Sequence, residues 1–129
     1  MLIDAPFNAV TGQVIGGAIE VHRILGPGLL ESSYMTCLQF ELAARHLRFV
    51  VQRAVPIIYK GIALDSHYRV DLIVEDQVVV EVKSVDRVLP VHEAQVLTYM
   101  ALSGCPAGLL INFNVPKLVD GVKRLIARR

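Results

Sequence analysis

Apolar residues recur at helical spacing through the first third of the chain. Over residues 9–25, Ile15, Ala18, Ile19 and His22 fall on one face and predict a helix. Leu25-Gly26-Pro27-Gly28 breaks it, because Gly and Pro do not continue a helix cheaply. A second helix is predicted from Leu29 to His46, with Leu30, Tyr34, Leu38 and Leu42 as its apolar stripe. The pattern then shortens to strands. One is predicted from Phe49 to Tyr59, followed by a Lys60-Gly61 turn and a short strand ending near Leu64. Val, Ile and Leu dominate from Val70 to Val85, the composition of a buried hairpin. Pro90 suits the first position of a third helix over Val91–Ser103, which Gly104 ends. Ala107–Asn112 reads as an apolar strand and Gly121–Ala127 as a last one. This order, α-α-β-β-β-β-α-β-β, predicts an α/β fold with helices around a mixed central sheet.

Three charged residues interrupt the apolar hairpin: Asp71 on its first strand, Glu81 and Lys83 on its second. Such groups are rarely buried unless paired or metal-bound. Side chains alternate faces along a strand, so Val70, Leu72 and Val74 oppose Arg69, Asp71 and Ile73, and Val78, Val80 and Val82 oppose Val79, Glu81 and Lys83. A three-residue loop, Glu75-Asp76-Gln77, pairs Val74 with Val78 and sets Asp71 across from Glu81 on one face. A two-residue loop, Asp76-Gln77, would put Asp71 opposite Val82 instead; the longer loop matches apolar with apolar throughout. Facing carboxylates repel by up to roughly 1 kcal/mol, a sign that a divalent cation between them reverses. Mg²⁺ takes one or two carboxylates, waters and substrate phosphate. Lys83 could then hold a phosphate oxygen or orient the attacking water. The plainer reading is a surface ion pair on an amphipathic hairpin.

Other polar residues fall on faces expected to be covered. Glu31 lies three residues before Tyr34 and seven before Leu38, on their side of the helix. It is either a further metal ligand or a first-turn Glu favoured by the helix dipole. Gln95 and Tyr99 are i, i+4 on the third helix, with His92 one turn earlier, a pair suited to hydrogen-bonding a phosphate. Small residues Val91, Ala94, Thr98 and Ala101 lie opposite and are expected to pack on the sheet. His22 reads first as a core histidine and second as a substrate contact. Asn112 and Asn114 read as turn residues.

Composition narrows the class. The chain has 129 residues, 53% hydrophobic and 19% charged, which is enough for the core of a single domain over residues 1–129. Net charge is +1, so nucleic acid is not attracted globally. Basic residues gather late, at Lys117, Lys123, Arg124, Arg128 and Arg129, as a solvated polar tail or a backbone contact. There is no apolar run of membrane-spanning length and no basic n-region at the start. Cys37 and Cys105 lack a surrounding His/Cys cluster and are expected to be buried free thiols of a cytoplasmic protein. No phosphate loop, dinucleotide fingerprint, H-E-x-x-H or C-x-x-C occurs, and Ser32 and Ser33 have no evident base.

Gly28-Leu29-Leu30-Glu31-Ser32-Ser33-Tyr34 resembles the G-x-x-E-x-x-Y signature of the small GxxExxY proteins. The likeness extends over about residues 12–126, through Glu20-Val21-His22, Tyr59-Lys60-Gly61, Asp71, Glu81-Val82-Lys83, Val91-His92-Glu93-Ala94-Gln95 and Leu110-Ile111-Asn112-Phe113-Asn114-Val115-Pro116. That family is similar to a compact branch of the PD-(D/E)xK nuclease superfamily. The resemblance implies a restriction-endonuclease-like mixed sheet flanked by helices. It implies a Mg²⁺- or Mn²⁺-dependent nuclease, with DNA favoured over RNA. By the same resemblance Asp71, Glu81 and Lys83 are catalytic, and Glu31, Asp71, Glu81 and the Val82 carbonyl are the metal ligands. Gln95 and Tyr99 resemble the Q-x-x-x-Y element of RecB-type nucleases. Val70 stands where many members have Pro. A chain this small leaves little surface for target recognition, which a homodimer would supply. The rival reading is a non-catalytic module on the same fold that binds nucleic acid or protein.

Overall fold

The computed structural model describes residues 6–64 and 68–127. Helix α1 (Pro6–Leu25) and helix α2 (Glu31–Ala44) come first. Strand β1 (Phe49–Ala54), a small hairpin of β2 (Ile57–Tyr59) and β3 (Ile62–Leu64), and the strands β4 (Arg69–Val74) and β5 (Val78–Lys83) follow. Helix α3 (Pro90–Ser103), strand β6 (Ala107–Asn112), a short 3₁₀ turn at Leu118–Gly121 and strand β7 (Val122–Ile126) complete the order. Five strands form one sheet in the order β1-β4-β5-β6-β7, antiparallel except for the parallel β5–β6 pair. The α/β expectation holds, with β4 and β5 at the sheet's centre.

Two apolar clusters lie on the sheet's two faces. Leu72, Val74, Val78, Val80 and Val82 pack with α1 and α2, and Ile73, Val79 and Leu110 pack with α3. Val70 departs from the expected alternation and joins the α3 cluster beside Ile73. The break falls at Asp71, where the β4–β5 ladder ends and Gln52, in the neighbouring strand, has a φ of +54°.

Several faces differ from expectation. On α1 the buried stripe is Val10, Val14, Ala18 and Val21, and Ile19 is 42% exposed. Leu30 is 74% exposed at the N-cap of α2, leaving Tyr34, Leu38 and Leu42 to face the core. On α3 the small residues Val91, Ala94, Thr98 and Ala101 face outward, while Val96, Tyr99 and Met100 are buried. Tyr99 and Met100 are larger than any residue of that stripe and fall with Val96 at i, i+3, i+4, so this face buries more apolar area against the sheet. The strand expected over Phe49–Tyr59 is two strands, because Pro56 has no N–H to continue a ladder.

Both cysteines are free; Cys105 is buried and Cys37 half-buried. The basic residues near the end are partly tied in rather than simply solvated. Lys123 pairs with Glu93 at 3.6 Å, and the Arg124 guanidinium lies 5.8 Å from the Phe7 ring centroid. Arg128 and Arg129 lie outside the described residues. Among the described residues, no helix is long and apolar enough to cross a membrane.

Candidate active site

The hairpin register follows from its loop. Val74 pairs with Val78, Ile73 with Val79 and Leu72 with Val80. Glu75 and Asp76 take φ of +53° and +54°, and the Gln77 N–H closes the turn on the Val74 carbonyl at 3.0 Å. The ladder therefore brings Asp71 and Glu81 together, on the α3 face of the sheet. There the backbone bonds change partners. The Asp71 N–H donates to Glu81 Oε2 at 2.8 Å, and the Val82 N–H donates to Asp71 Oδ2 at 2.9 Å. Each carboxylate stands in for a strand carbonyl just where the hairpin opens. The second oxygen of Asp71 accepts a bond from Gln52 Nε2 at 3.3 Å.

Burial sets the electrostatics. Glu81 is only 4% exposed; desolvation, reinforced by the Asp71 charge, pushes its pKa up from 4.5 to about 7. Desolvation also raises Asp71, against the Val82 N–H and Lys83, which pull it down. Lys83 continues the Val79, Glu81 side of β5 and is half-buried, and its charge favours ionisation of both acids.

Glu31 is exposed at the first turn of α2, outside the covered face expected for it, yet its charge reaches both carboxylates and raises their pKa values. The buried Tyr34 fixes the approach to that turn. Its hydroxyl donates to the Gly26 carbonyl at 2.6 Å and accepts the Leu29 N–H at 3.1 Å. Gly26 and Gly28 take φ of +68° and +97°, which suits the linker to glycine. Ser84 Oγ, one residue past Lys83, donates to the Leu29 carbonyl at 2.6 Å and ties the linker to the end of β5. The ring of Tyr34 stacks on Phe113 with centroids 4.4 Å apart. Thus Gly26, Gly28 and Tyr34 build the support on which Glu31 stands. Tyr34→Phe is expected to lose about 1 kcal/mol, since it removes the hydroxyl that bonds both the Leu29 N–H and the Gly26 carbonyl. Urea denaturation of the two proteins checks this; equal midpoints would contradict it.

From α3, Gln95 Nε2 donates to the Tyr99 hydroxyl at 3.0 Å. Burial, then the charges of Glu81 and Asp71, push the Tyr99 phenol up, which places it in the field of the acids. His92 caps its own helix, its Nδ1 accepting the Leu89 N–H at 3.0 Å. His22 is a packed histidine: it is buried, its Nε2 lies 2.8 Å from the Val115 carbonyl oxygen, and its ring lies near Phe113. This surrounding is that of the core histidine, the first of the two readings its place on α1 allows. Asn112 is buried and clamps the exit of β5. Its Oδ1 accepts the N–H groups of Val85 and Asn114, and its Nδ2 donates to the Val85 carbonyl. Gln52 is the residue that sequence reasoning missed, because only its left-handed backbone beside Asp71 distinguishes it from any polar residue of an exposed strand.

The donor set can be matched against a cation. Among the described residues, no three or more His, Cys, Asp or Glu converge as a closed metal cage. The buried Glu81 and the half-buried Asp71 do converge, with a repulsion that a cation would relieve. Such a pair fits an open Mg²⁺ or Mn²⁺ site completed by water and substrate phosphate, and does not fit zinc.

No curated protein and no solved structure matches the chain. A family model does match, over residues 8–125, that of the PD-(D/E)XK nuclease superfamily. With the mixed sheet, its flanking helices and nearly the whole length matched, the chain belongs to the PD-(D/E)XK nuclease superfamily.

Proposed function

We propose that this protein is a Mg²⁺- or Mn²⁺-dependent nuclease, acting on DNA and belonging to the compact GxxExxY branch of its superfamily. The observation that carries this is the pairing of half-buried Asp71 with buried Glu81 beside Lys83, held at the point where the central hairpin opens. Asp71 and Glu81, with the Val82 carbonyl, would hold the cation, and Glu31 would serve it from the rim. When bound, the metal supplies Lewis-acid stabilisation of the phosphate and an acidified water. The remaining work belongs to the chain. Lys83 brings a fixed positive charge to the phosphate oxygens. The Tyr99 hydroxyl already accepts from Gln95, so its own proton points elsewhere and can bind the substrate backbone. Cleavage adds water across one P–O ester bond. His22 has no part in this set.

The test is to incubate the protein with labelled single- and double-stranded DNA and RNA in Mg²⁺, Mn²⁺ or EDTA, beside Lys83→Ala. Cleavage is expected with either metal, none in EDTA, and at least about a hundredfold less in the variant. A folded protein that cleaves nothing under these conditions overturns the proposal in favour of a non-catalytic binding module.

A further inference from the structure

A groove of about 280 Å³ runs along α3 and shares Gln95 and Tyr99 with the candidate site. Ile57, Tyr68, Val91 and Leu102 wall it, and Gln95 and Tyr99 line it too. Its place explains why the small residues of α3 face outward: Ala94 and Thr98 form its floor rather than packing on the sheet. Among the described residues no charged side chain lines it, and the lining named is that of an apolar cleft rather than of a phosphate or carboxylate site. Its size lies just under the ~300 Å³ at which ordinary small-molecule pockets begin, enough for one flat ring system. The lining supplies what such a ring asks for: the 49%-exposed Tyr68 ring, aliphatic walls, and an amide and hydroxyls for a polar edge.

Continuity with the catalytic residues decides the occupant. Gln95 and Tyr99 belong both to this groove and to the surroundings of Asp71 and Glu81. A ring lying here is therefore joined to a phosphate lying there. Arg69, exposed directly after Tyr68, offers a cation for the next phosphate. We infer that the groove is a base-binding subsite that takes one unstacked nucleobase next to the scissile phosphate, so that the substrate is single-stranded DNA. A base held in a duplex is stacked on both faces and cannot enter. This rests on the nuclease reading above for its substrate, although the groove can be tested without catalysis.

The experiment is equilibrium binding in EDTA, where no cleavage occurs, followed by fluorescence anisotropy at low salt. The probes are a labelled 12-nucleotide single strand, the same strand with one abasic position moved along it, and a blunt hairpin duplex. The variants are Tyr68→Ala, Tyr68→Phe and Ala94→Leu, the last filling the groove from an exposed helical position, with thermal melts to show that each is folded. The single strand is expected to bind at least about tenfold tighter than the duplex. Tyr68→Ala and Ala94→Leu should each weaken it by about tenfold, the scale of one lost stacking contact, and Tyr68→Phe should restore it. One abasic position should weaken binding more than the others. Equal binding of both forms, or single-strand binding untouched by Tyr68→Ala and Ala94→Leu in folded protein, overturns the subsite. So does a change of oligomeric state in Ala94→Leu by sedimentation, which would assign the groove to a second copy of the chain. Lys83-dependent cleavage combined with unselective binding would defeat the subsite and leave the nuclease standing; selective binding without cleavage would do the reverse.

Discussion

At pH 8 and without metal, Glu81→Gln is expected to be more stable than the wild-type protein by about 1–3 kcal/mol, while losing metal-dependent cleavage by at least about a hundredfold. The sign follows from the carboxyl's two environments. Unfolded, it titrates near 4.5; folded, desolvation and the Asp71 charge hold it at about 7. Below pH 4.5 both states are protonated and burial carries no charge penalty. Between 4.5 and 7 the folded protein keeps a proton that the unfolded chain has released, so stability falls as pH rises. Above 7 the folded protein bears the full cost of a buried carboxylate. Asp71, raised by its own desolvation, acts in the same direction. The amide in Glu81→Gln retains an oxygen to accept the Asp71 N–H and has no charge to desolvate. Thermal melts in EDTA from pH 5 to pH 8 should show wild-type protein losing stability across the range and the variant losing much less. Mg²⁺ should raise the wild-type melting temperature at pH 8 and leave the variant's nearly unmoved. A variant that melts below the wild type at pH 8 would mean that Glu81 is not a costly buried acid.

Gly121→Ala should destabilise the fold by about 3 kcal/mol and slow cleavage with it. A Cβ at this position would run into the Asn112 carbonyl oxygen and lie 3.0 Å from Val115 Cγ2. The first neighbour is backbone and has little room to retreat. Asn112 pairs with Lys83 in the β5–β6 register, and its side chain binds Val85 on both its N–H and its carbonyl. Relief at Gly121 therefore has to be taken at the end of β5, where Lys83 stands. Urea denaturation reads the stability and a cleavage assay the displacement. Wild-type values in both would show that the 3₁₀ turn gives way without disturbing β6.

The central hairpin was legible because its loop admits one register that matches apolar with apolar, and that register alone decides whether Asp71 meets Glu81. Tyr34, Leu38 and Leu42 were equally legible, as large residues at helical spacing. The face of α3 was not. Val91, Ala94, Thr98 and Ala101 are as periodic as Val96, Tyr99 and Met100, and periodicity cannot say which of two stripes finds a partner. Gln95 and Tyr99 were recognised as a pair, but Tyr99 is buried beside the acids rather than standing on a surface. The hydroxyl of Tyr34 read as part of an apolar stripe, because its two partners, Gly26 and Leu29, are backbone groups of a loop. Gln52 and Tyr68 gave no signal at all, since both owe their positions to strand pairing and groove walls distant in sequence.

The exchange of backbone partners at the mouth of the hairpin bears on how this chain could drift. A neutral amide at position 71 or 81 keeps an oxygen for the Val82 or Asp71 N–H. It also removes a charge that burial makes expensive. Mutation alone thus has a short path, one substitution at either position, toward a more stable descendant that lacks the paired charges. The path is shorter at 81, because an amide at 71 would turn its NH2 toward Gln52 Nε2, which now donates to Asp71. The chain nonetheless carries both acids, with Lys83 beside them, against its own thermodynamic gradient. Whatever keeps them there acts on charge rather than on shape.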